Sequence, residues 1–158
     1  MKSMKKTGIA GGILALVLGG AVMVASAREM ATGVVKERQD VMKEMGGAMK
    51  QIGLMMKGIM PFDGAAISQA AMVINQNSAK LDKLFPKGGD QAGSYAKPEM
   101  FDNPEAVKEL AKATGMAAEK LSEAAFDGSK ADILPLFFGV GKSCKACHTK
   151  YRRAKDNQ

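Results

Sequence analysis

Cys144, Lys145, Ala146, Cys147 and His148 stand together near the end of a 158-residue chain and use both of its cysteines and its single histidine. Cys-x-x-Cys-His is the attachment pattern of c-type haem. Two thiols at this spacing reach the two vinyl groups of one macrocycle, and the next imidazole can take an axial position on the iron. Structural zinc asks for four nitrogen or sulfur ligands where this chain offers three. A thioredoxin-like dithiol would stand beside a strand-helix unit, whereas the residues before Cys144 carry a helical pattern. A plain disulfide would leave the neighbouring histidine without a reason.

The elements that must position this motif are helical. Ile133, Phe137, Val140, Cys144, Cys147 and Tyr151 fall on or near one face of a last helix capped by Asp132, with Pro135 tolerable in its first turn. Phe137, Phe138 and Tyr151 can pack on a macrocycle or serve as ordinary core. Upstream, Asn103-Pro104-Glu105 supplies a cap, an N1 proline and a first-turn acid for a third helix, whose core face is Val107, Leu110, Ala111, Thr114, Ala118 and Leu121. Asp63 caps a second helix bearing Ile67, Ala70, Ala71, Ile74, Leu81 and Leu84, ended by Leu84-Phe85-Pro86. A first helix runs from about Glu29 to Lys57, where Val35, Met42, Met49 and Met56 recur every seven residues with Met45 and Ile52 between them. Gly46, Gly47 and Gly53 interrupt it, either to admit a close neighbour or to bend it. The stretch 87–103 lacks periodicity and reads as a long surface connection.

Four helices, little strand signal and one cofactor give an all-α, antiparallel four-helix bundle with covalently attached haem near the C-terminus. A haem-sized void is costly, so the apoprotein is expected to be poorly packed. Lys2, Lys5 and Lys6, the apolar run 9–24 and Ala25-Ser26-Ala27 read as a secretory signal over residues 1–27, cleaved to leave 28–158 as the domain, the alternative being an uncleaved membrane anchor. With cleavage, contact with a membrane is limited to that transient leader. Export suits the cysteines, because c-type haem is attached outside the cytoplasm. Loss of the three leader lysines lowers the formal charge from +7 to +4, which gives little support to nucleic-acid binding. Lys142, Lys145, Lys150, Arg152, Arg153 and Lys155 surround the motif as a solvated face or as a surface that steers an acidic redox partner.

Arg38-Gln39 with Met42, Pro61-Phe62-Asp63, Leu84-Phe85-Pro86, Ala96-Lys97-Pro98-Glu99, Val140-Gly141, and Cys144 to His148 with Tyr151-Arg152 together make the chain resemble the cytochrome c-prime family, the class II cytochromes c. The resemblance implies thioether bonds at Cys144 and Cys147, His148 as proximal ligand, and Arg38 and Arg152 at the haem periphery, Arg38 beside a propionate. Phe101 and Val107 depart from the tryptophan and phenylalanine of many relatives. Met42, four residues after Arg38, points to the low-spin members, in which a methionine of the first helix is the sixth ligand. A thioether there favours ferrous iron and little reorganisation. The implied protein is a periplasmic, monohaem, Met42/His148-ligated electron carrier, not an enzyme, with redox proteins as partners and a possible homodimer through its first two helices. The alternative is a high-spin, five-coordinate member that binds or buffers nitric oxide or carbon monoxide, with Met42 an occluding filler.

Overall fold

The computed structural model describes residues 31–89 and 93–154. The expected leader and Lys155 lie outside them. Four helices, α1 (Gly33–Met56), α2 (Gly64–Ser78), α3 (Pro104–Asp127) and α4 (Lys130–Tyr151), form an antiparallel bundle, with 3-10 turns at Leu81–Leu84 and Pro98–Met100. Among the described residues, extended pairing is limited to one bridge between Ala96 and Arg152.

Local chemistry sets most of the helix ends. Asp63 accepts from the Ala66 amide at 3.0 Å, and Asn103 accepts from the Ala106 amide at 3.2 Å, each satisfying an otherwise orphaned donor of the first turn. The second helix stops earlier than its apolar spacing predicts. Ser78 turns its hydroxyl back onto the Ile74 carbonyl at 2.7 Å, Lys80 bonds the Asn77 side chain, and the chain tightens into the 3-10 turn that carries Leu81 and Leu84. The cap of α4 is Ser129 and not Asp132. Asp132 is its N3 residue, and the two exchange bonds in a capping box. Pro135 consequently lies inside the helix, not in the first turn. The carbonyl it leaves without an amide belongs to Ala131, and both residues are exposed, so water can serve it.

The core forms along repeats of three and four residues. Val41, Met45, Ala48 and Ile52 of α1 meet Ile67, Ala70, Ala71 and Ile74 of α2 and Val107, Ala111, Ala118 and Leu121 of α3, all buried. Each fully buried isoleucine or leucine contributes roughly 1.5–3 kcal/mol. Packing is closest between α2 and α3 and sparse between α1 and α4. At the close pair, a methyl group on Gly64 would lie 2.3 Å from the Ala125 carbonyl oxygen. Ser68 and Ser122 share a 2.9 Å hydrogen bond across the same seam, and Asn75 donates to the Gly115 carbonyl at 3.0 Å.

Candidate functional site

Where α1 and α4 part, two cavities of about 290 and 630 Å³ open, sharing Met42, Gly46, Phe85, Met100, Cys147 and His148 as common walls. They therefore form one slot. Its inner part is closed by Met45 and Met49 of α1, Leu81, and Val107, Leu110, Ala111 and Thr114 of α3, a nearly wholly apolar lining. Its outer part widens past Arg38, Gln39, Asp40, Lys43, Tyr95 and Arg152. A flat apolar group with an anionic edge matches such a slot, its body in the dry interior and its charges at the cationic rim.

The helix period brings the chemistry to one wall. Cys144 and Cys147 are half-buried one turn apart on α4 and both are free thiols. Burial pushes both above the ordinary range, with the Cys144 sulfur adding to the effect on Cys147, so they stand as neutral thiols at neutral pH. His148 follows on the same turn and lines both parts of the slot. Its ring keeps solvent-accessible surface through the slot, yet partial desolvation and the nearby Arg152 cation hold its pKa below the usual histidine value. A neutral imidazole with an available nitrogen lone pair is the form that ligates a metal. Two thiols, a neutral imidazole and dry walls fit a covalently bound haem.

Arg38 is more deeply placed than a rim residue needs to be. It is 5% exposed, donates to the Leu84 carbonyl at 2.7 Å and to the Ser94 hydroxyl at 3.0 Å, and lies 4.8 Å above the Phe85 ring centre and 5.4 Å from that of Phe101. One side of it fastens the connection after α2, and the other faces the outer cavity. The same connection is tied to the end of α4, where Lys97 donates to the Tyr151 carbonyl at 2.7 Å and Arg153 to the Tyr95 carbonyl at 2.9 Å. Arg152 is exposed at the opposite lip.

All six residues singled out by sequence, Arg38, Met42, Cys144, Cys147, His148 and Arg152, border this one slot. Of the three aromatics considered for macrocycle packing, Tyr151 is buried on its wall, whereas Phe137 packs near Gly53 and Phe138 is 63% exposed. Two wall residues carried no chemical signal. Gly46 read only as a helix interruption, and Met100 lay in the aperiodic connection. Of the three glycines that interrupt α1, Gly53 answers to a close neighbour, since an added methyl there would lie 3.4 Å from the Phe137 ring, while one at Gly46 or Gly47 would have nothing within 4 Å.

The profile of the family described as cytochrome C′ matches residues 33–152. A cytochrome c-556 of Agrobacterium tumefaciens is 32% identical over 123 residues, which cover 78% of this chain and 99% of that protein. The cytochrome c′ of Alcaligenes xylosoxidans, solved as a ferrous variant with nitric oxide bound, superposes with a TM-score of 0.68 at 32% identity, over 77% of this chain and 94% of that one. A cytochrome c′ described for its ligand-controlled dimer dissociation gives a TM-score of 0.70 at 29% identity, over 79% of this chain and all of that one.

Proposed function

Because this chain belongs to the cytochrome c′ family, whose members carry one haem c through a pair of cysteines, here Cys144 and Cys147, we propose that it is a periplasmic monohaem cytochrome that binds a diatomic gas and catalyses no reaction of its own. In this reading His148 is the single protein ligand of the iron, and Met42 fills the opposite side without coordinating. The haem supplies a redox-active iron with an exchangeable axial position. The observation that carries the reading is the apolar α1 side of the inner slot, where Met42, Met45 and Met49 stand across from the wall that bears His148. Its walls offer almost no partner to water or an anion but accept a small uncharged ligand. Met42 is half-buried at the cavity edge, and an unbranched thioether with three rotatable bonds can move aside at small cost. The nitric oxide complex of the Alcaligenes relative supports the same assignment.

A second reading rests on Met42 and His148 lining the same slot from opposite helices, and on the similarity to a cytochrome c-556. There Met42 is the sixth ligand and the protein an outer-sphere electron carrier. Optical and electron paramagnetic resonance spectra of the ferric and ferrous holoprotein, beside Met42→Leu, separate the two. The gas-binding reading expects high-spin iron in both proteins and ready carbon monoxide uptake by the reduced form. A low-spin wild type that turns high-spin in the variant replaces it with the electron-transfer reading.

The exposed Lys142, Lys145, Lys150 and Arg152 beside the slot suit an acidic redox partner, whose approach they would accelerate at low ionic strength. Self-association is a further part of the proposal, supported by the relative with ligand-controlled dimer dissociation. The methionines of α1 do not supply its apolar surface, since each is buried or borders the slot. Within the first two helices, Met72 and Val73 of α2, 48% and 38% exposed, are the exposed large apolar residues.

A further inference from the structure

Gly46 and Gly47 are adjacent, both exposed, both helical, and both free of any heavy atom within 4 Å of an added methyl. Glycine in a helix interior costs backbone entropy that alanine does not. No protein neighbour accounts for either. They differ in one respect. Gly46 lies four residues after Met42 and three before Met49, on the face those side chains share, and it lines both the inner and outer parts of the slot, whereas Gly47 lines neither.

We propose that Gly46 is a specificity-determining residue of the slot: its absent side chain leaves room between α1 and a macrocycle held by Cys144 and Cys147, and so sets how large a ligand reaches the side of the slot beside Met42 and how fast. The proposal deepens the gas-binding reading and rests on it for the identity of the ligand. Met42 and Gly46 are successive positions on one helix face, so the first fills the cavity edge and the second leaves a gap one turn further on. Any side chain at position 46 narrows this gap. A side chain at position 47 projects about 100° around the helix axis and leaves it unchanged.

The test uses reduced holoprotein and measures carbon monoxide association by rapid mixing for wild type, Gly46→Ala, Gly46→Val and Gly47→Ala, each also in a Met42→Leu background. Thermal melting and far-ultraviolet dichroism are recorded for every protein. Both alanine variants should melt higher than wild type, because neither position has a positive φ and alanine is the better helix former. Association should then slow in the order Ala, Val at position 46, by about tenfold for valine, and stay at the wild-type rate for Gly47→Ala. Equal rates across the position-46 series overturn the proposal. So does equal slowing by Gly47→Ala, or loss of haem from the well-folded Gly46→Ala, which would give the space to the macrocycle itself. If only the Met42→Leu proteins take up carbon monoxide, the gas-binding reading fails and the Gly46 series is judged in that background. If neither background takes it up, no ligand reaches that side of the slot and the proposal falls.

Discussion

The bundle is built from two unlike helix pairs. Between α2 and α3 the contact is made by small residues and hydroxyls, with Gly64 against the Ala125 carbonyl and Ser68 against Ser122, and Ile67, Ile74 and Leu121 wholly buried beside them. Between α1 and α4 direct contact is sparse, and the facing residues are the long, flexible Met42 and Met49 and the half-buried Cys144 and Cys147, which line the slot. Small residues let backbones approach and lock a single arrangement. Methionines adapt to what lies between them. One pair is thus a self-sufficient framework, and the other is a jaw whose packing is completed by the group it holds.

Removing that group should break the comparison most visibly. A Cys144→Ala/Cys147→Ala double variant cannot form thioethers, and exposing about 290 Å³ of apolar cavity to water or collapse should lower the melting temperature by more than any single core substitution. Amide exchange followed by mass spectrometry should show the loss mainly in α1 and in the second half of α4, while α2 and α3 keep more of their protection. Uniform loss over all four helices would mean that the framework does not stand by itself. Ile74→Ala and Met49→Ala sharpen the point. The first empties a site in the tight seam and should cost about 2–5 kcal/mol with or without haem. The second should cost clearly more in the holoprotein than in the cysteine-free form, a coupling that a double-mutant cycle reads directly. Equal costs for Met49→Ala in both forms would remove it from the jaw.

Much of the framework was legible in the sequence because it follows from local signals. Asp63 and Asn103 cap helices where their side chains and the following apolar period said they would, and the Cys-x-x-Cys-His run fixed the chemistry of the slot before any geometry. The failures have local causes too. The extension of the second helix to Leu84 followed apolar spacing, but Ser78 and its polar neighbours offer the backbone competing bonds. The sequence offers Asp132 as a cap, but Ser129, three residues earlier, takes that place and Asp132 completes the reciprocal motif from N3. The depth of Arg38 was out of reach for a different reason. It depends on an aperiodic connection folding back so that the Leu84 carbonyl, Ser94, Phe85 and Phe101 surround one guanidinium, and no periodicity encodes such a meeting. The exchangeable side of the iron was illegible in kind, since coordinating and merely filling methionines have the same spacing.

The smallest expected effect lies at the end of α4 remote from the slot. There the Asp132 carboxylate accepts from the Ser129 hydroxyl at 2.6 Å and from the Ser129 amide at 3.1 Å, and these bonds, the hydroxyl first, hold its pKa below 3.8. A carboxylate whose folded pKa is depressed binds fewer protons in the native than in the unfolded chain. Its stabilisation is therefore complete above the unfolded value and is lost as pH falls from there through the folded value. Ser129→Ala should cost about 1 kcal/mol at neutral pH and should flatten the acid limb of the stability curve below pH 3.8, as read by urea titration across pH. The visible spectrum of the haem should not change, because Ser129 is fifteen residues, roughly 22 Å of helix, from Cys144. A spectrum that moved with the cap would show that framework and jaw are mechanically one body and would take away the distinction drawn between the two helix pairs.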